Sequence, residues 1–207
     1  MNKGCEVSPR RADPQLADRR REALVKAGYA DILEKGIQAT TIDSVVARAN
    51  SSKGGALYYF PTKEDLLCGV LEWLLAQLDH SLQQVVEAQS SARGKLVAEL
   101  EMLFHSAEVN RKLYLVLFDF VALGSRRERF KSLFANFFDA CRQRDVEIVK
   151  LGIQEQQFRR VNPPDAAATI RALVDGYCLQ WLMGPEDVAI ETVRDRCRAV
   201  LGAYLLR

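Results

Sequence analysis

The sequence has few of the features that mark membrane or secreted proteins. In its 207 residues no apolar run reaches the roughly 18 residues of a membrane span, and the longest, residues 113–123, is interrupted by Asp119. The N-terminal segment "MNKGCEVSPRRADPQLADRRRE" is charged and lacks the apolar stretch of a secretory signal. We therefore expect a cytoplasmic protein.

Cysteine and histidine are scarce and scattered, which argues against several kinds of site. The five cysteines, an odd number, form no close pair, so the sequence predicts buried free thiols in a reducing compartment rather than a disulfide framework. His80 and His105 are isolated and belong to no zinc-binding motif. No Ser-His-Asp pattern, glycine-rich phosphate loop or close carboxylate pair indicates catalysis. We expect neither an enzyme nor a metal or cofactor site.

Strand patterns and fixed-period repeats are also lacking, and apolar residues recur at helical spacing along the whole chain. The sequence predicts an all-α protein with two domains, residues 1–67 and residues 68–207. The first helix is expected from Gln15 to Lys35, with Gly36 ending it. A capping box, Thr40-x-x-Asp43, is expected to start a short second helix, and a third should cover Lys53 to Tyr59.

Positive charge is concentrated near the N-terminus. Residues 1–63 carry 11 Lys/Arg against 7 Asp/Glu, whereas residues 64–207 carry 18 against 20. A basic end has the sign that phosphate binding requires, although arginines at the start of a helix are often simply solvated.

The stretch "TTIDSVVARANSSKGGALYYFPTKEDL" predicts two short helices joined by a tight turn at Asn50-Ser51, which is a helix-turn-helix. Small residues at the start of the third helix would let a backbone approach DNA closely, while hydroxyls, lysines and tyrosines offer contacts to phosphates and bases. The alternative is an ordinary helical hairpin with solvated polar residues. The candidate DNA-binding residues are Thr40, Thr41, Ser51, Ser52, Lys53, Gly54, Gly55, Tyr58, Tyr59 and Lys63.

The residues Gly36-Ile37-x-x-Thr40-Thr41-Ile42, then "ARA", then "SKGGALYYFPTKEDLL" resemble the DNA-binding domain of the tetracycline-repressor (TetR) family of transcriptional regulators, over about residues 20 to 67. The resemblance implies that Thr41, Ser52, Lys53, Gly54, Tyr58, Tyr59 and Lys63 face DNA. It also implies a core formed by Leu24, Ile32, Val45, Val46, Ala49, Leu57 and Phe60.

Two positions depart from the family pattern and bear on how the first three helices pack. Asn50-Ser51 replaces the usual Gly-Val in the turn, and Asp31 stands where an apolar residue is usual. The arginines at 10, 11 and 19–21 precede the motif, and we interpret them as a DNA-binding arm or, for Arg10 and Arg11, equally as a solubilising tail.

The second domain is rich in aromatic residues, with eight of the nine phenylalanines after residue 100. Each is first of all a core candidate, but the resemblance implies a small-molecule site between the helices. Asp119, inside an apolar run, needs a partner: an arginine, a helix cap or a cationic ligand. The candidate ligand-binding residues are Phe104, Tyr114, Phe118, Asp119, Phe134, Phe137, Phe138, Tyr177 and Trp181.

The last two helices carry more apolar residues than one buried stripe needs, among them Leu179, Leu182, Val188 and Leu201. In the family the corresponding helices pair across a two-fold axis, which implies a homodimer on a palindromic operator. The expected function is a ligand-responsive repressor that binds double-stranded DNA and a small apolar or aromatic effector. The alternatives are an all-helical small-molecule-binding protein or an interaction module without a DNA role.

Overall fold

The computed structural model describes residues 14–184 and 188–207, and within them the chain is helical. The only β pairing among these residues is a single bridge between Phe158 and Leu206, so the predicted all-α class is confirmed. Arg10 and Arg11 of the expected arm lie outside the described residues. The helices are α1 (Pro14–Ala39), α2 (Ile42–Arg48), α3 (Lys53–Tyr59), α4 (Lys63–Glu87), α5 (Ala92–Leu103), α6 (Ala107–Gly124), α7 (Glu128–Gln154), α8 (Pro163–Met183) and α9 (Ile190–Leu205).

The first long helix is interrupted where the sequence predicts its end. Gly36 has φ 79° and ψ 163° inside α1, a conformation that glycine adopts without the steric cost of a side chain. The regular part of α1 therefore ends before Gly36, and one further helical turn follows it.

The capping of α2 differs from the prediction by one residue. Thr41, not Thr40, is the N-cap: its hydroxyl accepts a hydrogen bond from the Ser44 backbone N–H, and the Ser44 hydroxyl returns to the Thr41 N–H. Thr40 is fully buried. The predicted box of Thr40 with Asp43 is therefore wrong, because the three-residue spacing of a capping box is satisfied equally one position later.

The described residues form two compact units. The first contains the chain up to Lys35 and from Ala39 to Val70, and the second contains Gly36–Gln38 and the chain from Leu71 onwards. The first unit buries most of the predicted core, but Leu57 is 37% exposed and Ala56 takes the inward position on α3. In this unit Gly28 faces Val70 so closely that a Cβ would lie 2.7 Å from its Cγ2.

The second unit is a helical bundle whose core is built mainly from α5, α8 and α9, with contributions from α4, α6 and α7. Residues 113–123, the longest apolar run of the sequence, do not form the most buried helix. Leu115 and Val121 are exposed on α6, whereas α8 buries eight residues, including Ile170, Val174 and Trp181. An apolar run covers all sides of a helix, but α6 packs only one side of itself into the core.

Among the described residues no helix is long and apolar enough to cross a membrane.

Candidate DNA-binding surface and ligand cavity

The turn between α2 and α3 has the conformation that a helix-turn-helix requires. Asn50 takes φ 47°, the left-handed region that asparagine tolerates better than most residues. Ser52 then caps α3, its hydroxyl accepting a hydrogen bond from the Gly55 backbone N–H at 3.1 Å. Asn50 thus serves the turn in place of glycine, as the sequence predicts.

The exposed side of α3 and its preceding turn carries most of the predicted DNA-binding residues, and we call it the α3 surface: Thr41, Ser51, Ser52, Lys53, Gly54 and Tyr58. Tyr58 is 80% exposed and packs edge-to-face on Tyr59, with ring centroids 5.1 Å apart. Gly55, Tyr59 and Lys63 are half-buried. The prediction that Thr40 contacts DNA is corrected, because Thr40 is buried and its hydroxyl cannot reach a partner in solution.

One predicted phosphate contact is already paired. Lys53 Nζ lies 2.8 Å from Asp43 Oδ1, and both side chains are largely exposed. An exposed ion pair of this kind contributes little to stability, so the lysine can exchange Asp43 for a phosphate at small cost.

The residues of the turn share a groove with the first helix. Arg20 and Ala17 of α1 line a depression of about 510 Å³ together with Asn50, Ser51, Ser52, Gly55, Tyr58 and Tyr59. Arg21 instead stacks on Phe60, with its guanidinium carbon 5.5 Å from the ring centroid. Of the arginines at 19–21, Arg20 is therefore the one that lies beside the α3 surface.

Asp31, the departure from the family pattern, is the centre of a polar network. It is 2% exposed, accepts a hydrogen bond from the Ser44 hydroxyl at 2.7 Å, and lies 3.0 Å from Lys35 Nζ and 3.5 Å from Arg48 Nε. Burial acts to raise the pKa of Asp31, but the bonds from Ser44 and Lys35 and the charges of Lys35 and Arg48 outweigh it and lower the pKa. Asp31 thus joins α1 to α2 by charge and hydrogen bonding.

In the second unit, α4 and α6–α8, with Leu103 of α5, enclose an aromatic cavity of about 350 Å³. A volume of this size suits a small organic ligand. Five predicted residues line it: Tyr114, Phe118, Phe134, Phe137 and Phe138. Two ring pairs, Tyr114 with Phe118 and Phe134 with Phe138, are stacked with centroids 6.0 Å apart.

Four predicted ligand-binding residues do not line this cavity. Phe104 is fully buried in the core, and Trp181 is fixed by a hydrogen bond from its Nε1 to the Val188 carbonyl at 2.9 Å. Tyr177 packs against the core, and Asp119 is exposed, with Oδ2 3.5 Å from the Ile37 backbone N–H. Composition alone cannot predict which aromatic residues fill the core and which line the cavity, because both environments accept the same side chains.

The polar groups of the cavity were not found from the sequence. Arg171 and Asp175 line it, one turn apart on α8, with Arg171 Nη2 2.9 Å from Asp175 Oδ1. Behind Arg171 lie two fully buried carboxyl groups, Glu99 and Asp145. The i, i+4 spacing of Arg171 and Asp175 was the one available sequence signal for this pair.

The buried carboxyl groups interact closely with one another and with Arg171. Glu99 Oε1 lies 3.6 Å from Arg171 Nη1. Burial, first of all, and the nearby carboxyl group of Glu99 raise the pKa of Asp145 well above its usual range. Asp145 therefore favours its protonated form more strongly than an exposed aspartate does.

The thiols of the described part of the chain are free and buried, as the sequence predicts. Burial raises the pKa of Cys141 to about 11 and that of Cys178 to about 12. Cys178 lies against the cavity wall, its Sγ 2.8 Å from Tyr114 Oη. In the described ranges no three His, Cys, Asp or Glu side chains stand where they could hold a metal ion.

Two family descriptions match the chain. Residues 24–69 match "Bacterial regulatory proteins, tetR family", and residues 92–206 match "BetI-type transcriptional repressor, C-terminal".

Individual relatives and solved structures agree with these matches. The HTH-type transcriptional regulator BetI of Rhizobium meliloti is 26% identical over 83% of this chain and 82% of its own length. A putative transcriptional regulator from Saccharomonospora viridis, solved in complex with choline, superposes with a TM-score of 0.84 at 18% identity, covering 92% of this chain and 99% of that one. A TetR transcription regulator from Haloarcula marismortui has a TM-score of 0.83 at 23% identity, with coverages of 91% and 99%. At these identities the structural likeness shows the fold.

Proposed function

This chain belongs to the tetR family of bacterial regulatory proteins, and from that premise we propose that it binds a palindromic operator as a homodimer through its α3 surface. It is a DNA-binding, ligand-responsive transcription regulator, and the family is one of regulators rather than enzymes. A helical protein without a DNA role is not favoured. We place its action in the cytoplasm, where bacterial DNA is accessible.

The exposed, capped start of α3 is the observation that supports DNA binding by particular residues. Lys53 and Gly54 lie in its first turn, and Tyr58, one turn further on, is 80% exposed. In the major groove the exposed ring of Tyr58 can contact a thymine methyl and its hydroxyl a phosphate. In a helix-turn-helix the second helix enters the groove, which makes α3 the recognition helix.

A homodimer is proposed from exposed apolar residues on α8 and α9. Leu179 and Met183 on α8 and Val200 on α9 are exposed in the single chain, whereas Leu182 and Leu201, which the sequence analysis counted as surplus, are buried in its own core. A two-fold contact through these helices would bury the three exposed residues and place two α3 surfaces on successive major-groove faces of one operator.

The aromatic cavity is proposed as the effector site. Its walls are mostly leucine and aromatic side chains, with Arg171 and Asp175 as the charged groups. The choline complex of the similar regulator supports a small-molecule site in a fold of this kind. An effector that prefers the conformation with low DNA affinity would release the operator, and DNA would weaken effector binding by the same factor.

The test is selection of bound sequences from random duplex DNA, followed by affinity measurements on the consensus. Tyr58→Ala and Lys53→Ala are expected to lose the enrichment. Lys150→Ala is the matched control, because Lys150 is a similarly exposed lysine paired with an acid, Glu147, on α7. A palindromic consensus that the α3 variants lose supports the proposal. No enrichment at low salt, where phosphate contacts bind most strongly, would refute it.

A further inference from the structure

The proposed recognition helix carries few of the side chains that read base pairs by paired hydrogen bonds. Within Lys53–Tyr59 its sequence is KGGALYY, which contains no arginine, asparagine, glutamine or acid. Those residues make the hydrogen bonds that distinguish guanine, adenine and cytosine in the major groove. The one charged group of α3, Lys53, is paired with Asp43 at 2.8 Å. Apolar contact with the 5-methyl group of thymine is therefore the form of direct readout that suits most of this helix.

Leu57 does not occupy the core position that the family resemblance implies for it. It is 37% exposed, whereas Ala56 before it and Phe60 after it are buried. The helix thus packs on its own domain through Ala56 and leaves Leu57 at the surface. Within α3, Leu57 is the one aliphatic side chain exposed to solvent.

The surroundings of Leu57 on the helix surface leave room for a methyl group. Residues three and four apart are neighbours on a helix, so Leu57 lies beside Gly54 and Lys53, and all three are exposed. A Cβ on Gly54 would meet nothing within 4 Å. The surface beside Leu57 is therefore open down to the helix backbone, and a base edge can enter the space between the leucine and the glycine.

Tyr58 faces a different part of the same surface. It lines the groove that also contains Arg20 and the residues of the turn, and its ring packs edge-to-face on Tyr59. Neither Leu57 nor Gly54 lines that groove. The groove offers a guanidinium and hydroxyl groups, which suit a phosphate, whereas Leu57 offers only carbon, which suits a thymine methyl.

We propose that Leu57 is a specificity-determining residue that contacts the 5-methyl group of one thymine in each operator half-site, in the space beside Gly54. Cytosine carries a hydrogen where thymine carries this methyl group, and the purines present no methyl group in the major groove, so the contact selects a T·A pair. This inference rests on the proposed DNA-binding function and names a base that α3 reads within the operator.

The experiment removes the methyl group and the leucine separately and together. In the consensus operator selected from random DNA, each thymine is replaced in turn by deoxyuridine, which lacks only the 5-methyl group, at the same position of both half-sites. We expect one position at which the wild-type protein loses about threefold in affinity for each methyl group, and so about tenfold for the two half-sites. This scan of the wild type tests the contact independently of how any variant folds.

Leu57→Ala is expected to bind the thymine operator about tenfold more weakly than the wild type and to bind the thymine and uracil operators equally. Leu57→Met keeps an apolar side chain of similar size and should keep the sensitivity to uracil. Leu115→Ala is the matched control, because Leu115 is an exposed leucine on α6, in the other unit. It should leave both affinities unchanged. Melting curves of the variants verify that they are folded.

Three results overturn the inference. They are a wild-type protein that no uracil replacement weakens, a uracil effect that is as large in Leu57→Ala as in the wild type, and a uracil effect that Tyr58→Ala removes while Leu57→Ala retains it. A leucine that is merely solvated gives one of the first two. In all three the wild type still binds its operator, so the proposed regulator function stands. A wild-type protein that enriches no DNA sequence refutes that function, and the inference with it.

Discussion

At the residue scale, two neighbouring glycines in α3 have different surroundings. A Cβ on Gly55 would lie 2.9 Å from the Ser52 hydroxyl that caps the helix, whereas a Cβ on Gly54 would meet nothing within 4 Å. A side chain at Gly55 would require the Ser52 hydroxyl to shift, whereas the fold places no demand on Gly54. Gly54 lies on the exposed side of the proposed recognition helix, and the fold itself does not require a glycine there. This glycine therefore indicates that DNA approaches the backbone closely at this position.

Gly54→Ala is expected to fold normally and bind DNA poorly. The free energy of unfolding should stay the same or rise by up to about 1 kcal/mol, because alanine favours helix over glycine. Operator affinity should fall about tenfold or more if DNA contacts this position closely. Gly202→Ala on α9, where a Cβ meets only an ordinary contact, is the control. Unchanged affinity would show that DNA does not approach Gly54.

Asp43→Asn should strengthen operator binding, because it removes a negative charge from the DNA-facing surface and frees Lys53 from its 2.8 Å partner. Lys53→Ala should have the opposite effect and reduce the slope of log K against log salt by about 1. Affinities measured across a salt series give both quantities. If Asp43→Asn weakens binding, the acid must be orienting Lys53 rather than competing for it.

At the element scale, the Asp31 network determines how α1 and α2 are joined. The pKa of Asp31 is lowered in the folded state. The contribution of this carboxylate to stability is therefore present above its unfolded pKa of about 3.9 and is lost as the pH falls through the folded pKa. The first unit should therefore lose stability in acid below about pH 4 through this carboxylate.

Asp31→Asn is expected to lower the free energy of unfolding of the first unit at neutral pH by about 1–2 kcal/mol and to reduce its acid sensitivity. Hydrogen-exchange protection of α2 amides, followed against pH, measures both. Glu34→Gln is the control, because Glu34 bonds the same Arg48 from an exposed position and should matter little. Equal losses in the two variants would show that burial of Asp31 adds nothing to its ion pairs.

At the scale of the whole molecule, function depends on surfaces that a single chain leaves exposed. Met183 is 68% exposed at the end of α8, close in sequence to Leu179 and facing solvent like Val200 of α9. Exposed apolar residues on two consecutive helices indicate an interface between proteins.

Met183→Glu should convert the proposed dimer to monomers, since the proposed interface would bury a carboxylate without a partner, at a cost on the order of 2 kcal/mol or more. Sedimentation or light scattering measures the oligomeric state. Leu115→Glu, at another exposed apolar position on α6, should remain dimeric. The reverse result would place the interface on α6.

The buried Asp145 makes the stability of the second unit depend on pH in the direction opposite to Asp31. Burial and Glu99 raise the pKa of Asp145 in the folded state, so its contribution is fully present below the unfolded pKa and is lost as the pH rises through the folded value. Arg171 and Arg144 face the same group and reduce this rise without reversing it.

Asp145→Asn, which keeps the shape and a donor toward Glu99, should gain melting temperature relative to the wild type as the pH is raised. Thermal melts over a pH series that starts below the unfolded pKa of about 3.9 and extends upward test this. Asp139→Asn, an exposed acid on the same helix paired with Arg142, should show no such trend. A constant difference between Asp145→Asn and wild type at all pH values would show that the carboxyl group does not titrate on unfolding.

Local features followed from the sequence closely. The bounds of α3, the turn at Asn50 and the helix break at Gly36 depend on backbone preferences and capping, which act over a few residues. Whether Thr40 or Thr41 caps α2 could not be predicted from the sequence, because tertiary packing decides that Thr40 is buried.

The sequence by itself determined the helical class, the helix-turn-helix and the exposed character of α3, since periodicity, caps and turn residues are properties of short segments. Only the tertiary structure decided which aromatic residues line the cavity and which fill the core. It alone brought Glu99, Asp145 and Arg171 together from three helices, because the spatial proximity of residues far apart in the chain has no local signature. The charge beside the aromatic cavity therefore depends on the packing of α5, α7 and α8.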